Sequence, residues 1–135
     1  MPSRMRNYYS AGDLERVMQE DPFDPEMLQD FLKTQVCAVH FCSIATCNGY
    51  ILPLPSDENT FEVYIDNCWH NHTLDEEGIT LVHEILHGFY HATGKKDLED
   101  CIERTAQRFY KENKEFVNDL VEQLERGENL KTILL

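Results

Sequence analysis

The chain has 135 residues, 41% of them hydrophobic and 27% charged, enough for one hydrophobic core and too few for two. Its formal net charge is −13 and its longest basic run is Lys95-Lys96, so a phosphate backbone would be repelled and no nucleic-acid partner is expected. No apolar run approaches the roughly 18 residues a bilayer span needs, and no apolar segment follows the basic residues 1–6 as a signal peptide would require. The expectation is a cytoplasmic protein without a membrane partner.

Five cysteines, Cys37, Cys42, Cys47, Cys68 and Cys101, include no C-x-x-C pair. In a reducing compartment they read as buried thiols. Cys68 lies nearest the motif described below and is a candidate for metal contact.

In chain order, residues 1–12 read as a flexible arm, and Leu14, Val17 and Met18 give residues 13–19 a short helical face. Asp24 caps a second helix, with Pro25 at its first position and Met27, Leu28, Phe31 and Leu32 as its apolar stripe to about Lys33. Val36 to Thr46 is rich in β-formers. Asn48-Gly49 signals a hairpin, and Tyr50 to Leu54 reads as the return strand. Phe61 to Ile65 alternates as a third strand. A polar loop, Asn67 to Thr73, precedes a helix capped by Thr73 or Asp75 and ended by Gly94. Asp97 opens a long helix to about Glu125, and residues 128–135 read as a flexible tail. The pattern predicts one α+β domain over residues 1–135. N-terminal helices lead into a small, mostly antiparallel three-stranded meander, followed by two helices.

Residues 83–87 read His-Glu-Ile-Leu-His. Histidines four apart on a helix lie about 40° apart around its axis and one turn up, so both imidazoles can converge on one ion. Neutral imidazole is a good zinc ligand. Glu84 is displaced from both rings but within reach of a water on the metal, whose proton it can accept. Composition alone would produce the H-E-x-x-H pattern roughly 0.03 times in such a chain, which makes the match specific.

A catalytic zinc needs a third protein ligand and an open position. His91 lies about 12 Å along the helix from His83, too far to share the ion. The pattern that ends in a third histidine is broken, with Tyr90 in place of its glycine and Thr93 in place of its last histidine. The ligand is expected from the next helix. Glu103, one and a half turns into it, is the favoured residue. Asp100 and Glu99 are the competing carboxylates, and His70, His72 and Cys68 are the candidates from elsewhere. His70, His72 and Tyr110 are also candidates for stabilising an oxyanion.

The motif His83-Glu84-Ile85-Leu86-His87, the glycine turn after it and the stretch Glu103-x-x-Ala106-Gln107-x-Phe109 together resemble the gluzincin metallopeptidases. Within them the similarity is to the ImmA/IrrE-type and small phage metallopeptidases, over about residues 60–112. The family has Asn where this chain has Gln107. The resemblance implies a minimal zincin-like fold, with the helix after the H-E-x-x-H helix carrying Glu103 as the third zinc ligand. It also implies a strand before the active-site helix, here Glu62 to Asp66, with a free edge along which an extended substrate pairs.

The resulting expectation is a zinc metallopeptidase that holds Zn2+ through His83, His87 and Glu103 and cleaves peptide bonds with Glu84 as general base. Its partner would be a protein or peptide substrate, in the narrowest form one cytoplasmic protein. Two alternatives stand beside it: a zincin-like interaction module, metal-binding or catalytically inactive, and a small zinc hydrolase acting on a non-peptide amide.

Overall fold

A computed structural model describes residues 21–128. The predicted helix at 13–19 and arm at 1–12, and all but the first residue of the predicted tail, lie outside the described residues.

The first helix among the described residues, α1, spans Pro25–Gln35. Asp24 caps it, its carboxylate accepting from the Met27 amide at 2.8 Å. Leu28, Phe31 and Leu32 are buried on one side of it. The chain passes directly into β1, Val36–Cys42, followed by β2, Gly49–Leu54, and β3, Asp57–Asp66. The longest helix, α2, spans Leu74–Thr93. Its N-terminus is closed by a reciprocal pair, the Thr73 hydroxyl accepting from the Glu76 amide and the Glu76 carboxylate accepting from the Thr73 amide. Gly94 ends it in the left-handed conformation, φ 73°, which costs glycine little. Two further helices follow, α3 at Glu99–Glu112 and α4 at Lys114–Glu125. The described residues thus form an α+β fold of four helices and a small mixed sheet.

The sheet order is β1-β3-β2, with β1 parallel and β2 antiparallel to β3. This corrects the expected meander. A hairpin would set β1 beside β2, but residues 43–48 form too wide a connection. They cross the end of β3, where the Ile44 amide donates to the Asp66 carboxylate at 2.8 Å and the Asp66 amide donates to the Asn48 carbonyl at 2.8 Å. The third strand, expected to have a free edge, is therefore the central one. Its alternation explains this: Phe61, Val63 and Ile65 are buried against α1 and α2, the most thoroughly apolar inner row of the sheet. The open edge toward the site belongs to β2.

The predicted helix over 97–125 is two helices. Asn113 falls in line with Ile102, Ala106, Phe109, Val117 and Leu120, where an unbroken helix would need an apolar residue. Its side-chain amide instead donates to the Phe109 carbonyl at 3.0 Å, and the backbone leaves helical geometry there. Both helices still pack their apolar faces on α2. Of the five cysteines only Cys101 is buried, and Cys37 and Cys68 are exposed, so burial does not explain the set. None of the five forms a disulfide. No described helix is long and apolar enough to cross a membrane.

Candidate metal centre

The core-facing residues of α2 are Leu81, Val82, Ile85, Leu86 and Tyr90. That set fixes the helix's rotation and turns His83, Glu84 and His87 toward the groove between α3 and the sheet edge. The two imidazole centroids are 4.9 Å apart, and the two Nε2 atoms 3.1 Å apart.

A short connection, residues 95–98, swings α3 back across these rings. Leu98 and Cys101 bury together, and the Cys101 sulfur lies 3.9 Å from the Tyr90 hydroxyl, which seats the first turn of α3 against α2. Glu99 is the first residue of that turn, where the helix dipole favours a carboxylate. Its Oε1 lies 2.8 Å from His83 Nε2 and its Oε2 2.9 Å from His87 Nε2.

Each ring also has a carboxylate behind it. Glu103 Oε2 is 2.7 Å from His83 Nδ1, and Asp97 Oδ1 is 2.9 Å from His87 Nδ1. Gln107 in turn donates to Glu103 Oε1 at 2.8 Å. This is the pattern of metal-binding histidines, in which one ring nitrogen faces the ion and the other is held by a carboxylate.

His83, His87 and Glu99 bring one donor atom each to within 4.8 Å of one another, a group that could hold a metal ion. A tetrahedral ion with bonds of about 2.0–2.1 Å holds two nitrogens about 3.3 Å apart, close to the observed separation of the Nε2 atoms. Two imidazoles and one carboxylate suit zinc among the common ions.

The sequence favoured Glu103 over Glu99 as the third member. The structure sets Glu103 at the opposite ring nitrogen of His83 and brings Glu99 to the paired Nε2 atoms. The helix starts two residues later than predicted, so its first turn reaches the paired Nε2 atoms and its second the far nitrogen of His83. Asp100 is outside this group. Asp97, read from sequence only as a helix opener, supports His87. The rule that a ligating histidine has a carboxylate partner could have drawn attention to it.

The remaining candidates are elsewhere. The His70 ring bonds to the Ala45 carbonyl at 2.9 Å. His72 is exposed and Cys68 is exposed. The Tyr110 hydroxyl bonds to Asp75 and Asn118 and does not line the cleft beside Glu84.

Glu84 stands between two cavities. One, of about 430 Å³, includes Asn48, Thr80, His83 and Glu99, and the other, of about 310 Å³, includes Tyr50, Ile51, Pro53 and His87. Burial pushes the Glu84 carboxyl up to about 7, against the opposing charges of His83 and His87. For His87, burial disfavours the charge, but the hydrogen bonds and charges of Glu99 and Asp97 outweigh it and raise the ring to about 9. Hydrogen bonds from His83 and His87, with their charges, hold the Glu99 carboxyl well below the usual carboxylate range.

Two glycines bring β2 close enough to form the cleft wall. A Cβ on Gly49 would lie 2.7 Å from the Tyr64 carbonyl and 2.8 Å from Thr80 Cγ2. A Cβ on Gly88 would lie 2.6 Å from Ile51 Cδ1. Glycine inside a strand or a helix marks such close approach, a signal that sequence reading could have used. Comparison of the chain with protein-family profiles, curated proteins and solved structures found no match.

Proposed function

We propose that the chain is a zinc-dependent metallopeptidase whose metal is held by His83, His87 and Glu99 and whose general base is Glu84. One observation carries this reading: a two-histidine, one-carboxylate group, each ring backed by its own carboxylate, beside a half-buried glutamate on a cleft. The similarity of the motif to gluzincins supports the same reading, with Glu99 in place of Glu103 as the third ligand and Glu103 as the orienting partner of His83.

Zinc, when bound, supplies Lewis acidity toward a carbonyl and lowers the pKa of water. The chain's own residues do the rest. Asp97 and Glu103 hold the rings with their Nε2 atoms forward. Glu84, a carboxyl poised near neutrality, takes a proton from the attacking water and returns it to the departing amine.

An extended peptide would be held by β2. The Asp66 amide donates to Asn48, so alternation turns Tyr50 and Leu52 toward β3 and leaves the N–H and C=O groups of Gly49 and Ile51 on the outer edge. Pro53 offers no N–H and ends the pairing. This gives the role expected of the third strand to the second.

The test pairs metal analysis with turnover. Purified protein should carry close to one zinc per chain and cleave an unstructured protein such as casein, and Glu84→Gln should keep the zinc and lose the cleavage. Stoichiometric zinc without turnover on a broad peptide panel would favour the interaction module instead.

A further inference from the structure

The two cavities beside Glu84 differ in chemistry, and β2 runs from one to the other. Gly49 lines the larger cavity, and Tyr50, Ile51 and Pro53 line the smaller. A peptide laid along this strand therefore passes from the first cavity to the second, with Glu84 between them.

The larger cavity is polar and negative. Glu76, Glu99 and Glu103 line it together with Glu84, and neither lysine nor arginine does. A dication on His83, His87 and Glu99 would leave one positive charge after Glu99 is counted, against the carboxylates of Glu76 and Glu103, with the Glu84 carboxyl beside them. The remaining lining includes the side-chain oxygens of Asn48, Thr80 and Gln107, which can accept hydrogen bonds from a cationic side chain. The smaller cavity is mostly apolar, its wall made by Tyr50, Ile51, Pro53, Phe61 and Gly88, with the exposed His91 at its end. Its acids are two, Glu84 and Asp97, against four in the larger cavity, and Asp97 is bonded to His87 as Glu103 is to His83.

We propose that the cleft selects its substrate on both sides of the reacting bond, taking a basic side chain at the Gly49 end and an apolar or aromatic one at the Pro53 end. The substrate class is thus a peptide with a lysine or arginine separated from a bulky apolar residue by the bond that is cut. The proposal rests on the peptidase reading. Both elements are needed: the field of the acidic wall chooses the charge, and the apolar wall chooses the register.

The experiment uses the zinc-loaded full chain and a mixed peptide pool, with cleavage sites read by mass spectrometry. In parallel, the zinc-loaded Glu84→Gln protein is used to capture peptides from the same pool. Cleavage with Lys or Arg enriched on one side of the bond and Phe, Tyr, Leu or Ile on the other is the expected result. Asn48→Lys, at the exposed rim of the larger cavity, should then lower kcat/KM for a lysine peptide about tenfold relative to its glutamine counterpart. Cleavage without that two-sided enrichment, or with acidic residues enriched, overturns this proposal and leaves the peptidase reading standing. Enriched capture without cleavage retains the two-sided peptide site and overturns the peptidase reading. Neither cleavage nor capture overturns both.

Discussion

Nε2 of His83 and Nε2 of His87 lie 3.1 Å apart with the two oxygens of Glu99 facing them. Two ring nitrogens with one carboxylate between them are held in this way by protons or by a metal ion, and the metal makes a falsifiable demand. His83→Ala and His87→Ala should each remove most of the bound zinc. Glu99→Ala should weaken zinc binding more than Glu103→Ala, whose loss should be about 10- to 100-fold, the usual effect of removing an orienting carboxylate. Measuring free-zinc titrations of all four variants checks this order. A larger loss at 103 than at 99 would return Glu103 to the ligand set.

Glu84 should separate chemistry from binding. Glu84→Gln keeps the size and the hydrogen-bonding oxygen but cannot accept the proton, so kcat should drop by about 10²-fold or more. Zinc content and melting temperature should stay near those of the parent. Retention of a near-parental rate in a zinc-loaded sample would remove Glu84 from the role of base.

Gly49 should be intolerant of any side chain. Its Cβ would meet the Tyr64 carbonyl at 2.7 Å, and backbone cannot step aside as a side-chain end can. Gly49→Ala should therefore cost about 1–3 kcal/mol through overpacking. It should also shift β2 away from Glu84 and widen the cleft. Thermal melts measure the first effect, and peptide affinity of the zinc-loaded variant measures the second. A variant as stable as the parent would show that β2 is free to move there.

Much of this molecule was legible in its residues, and the failures share a cause. α1 and α2 could be bounded because Asp24, Thr73 and Gly94 are local signals, acting within a turn of themselves. The histidine pair was legible because i,i+4 spacing on one helix fixes geometry without knowledge of the rest. The strand order was not. Asn48-Gly49 looks like a hairpin locally, and only the Asp66 carboxylate, distant in sequence from Ile44, shows that the connection crosses another strand. The choice between Glu99 and Glu103 depended on where α3 starts. A shift of two residues there moves a side chain by more than half a turn, so which carboxylate faces the paired Nε2 atoms rests on a helix boundary, which a sequence marks less sharply than it marks a helix.

Asp66 should behave as an acid-sensitive latch for the cleft wall. It is fully buried, and burial raises a carboxyl's pKa, but amides of His70, Ile44, Asn71 and Cys68 donate to it and hold it well below the ordinary value. A depressed folded-state pKa gives stability that is complete above the unfolded value, about 3.9, and is lost as pH falls from there toward the folded one. Asp66→Asn puts a donor group among donors. Its melting temperature should be lower than the parent's at pH 7, with the gap narrowing below about pH 4. An equal gap at both pH values would assign the loss to packing rather than to charge.

Glu77 should show the opposite sign. It sits on the first turns of α2, 7% exposed, and bonds to Glu125 on α4, with Asp66 also contributing its charge. Burial first, then the bond to Glu125 and the charges of Glu125 and Asp66, push its carboxyl up to about 7. A carboxyl raised in the folded state favours folding in its protonated form. Its ionisation therefore carries no penalty below the ordinary value of 4.5, and the penalty grows as pH rises through about 7. The contact between α2 and α4 should consequently weaken as pH rises from about 4.5 to about 7 and stay weakened above that. Glu77→Gln is close in shape to the protonated acid and still reaches Glu125, so it should change stability little at pH 5 and raise the melting temperature at pH 8. Paired melts of parent and variant at the two pH values make the comparison. A variant destabilised equally at both would assign the loss to packing rather than to the titration of Glu77, and one destabilised more at pH 8 than at pH 5 would show that the carboxylate is the form that holds the two helices together.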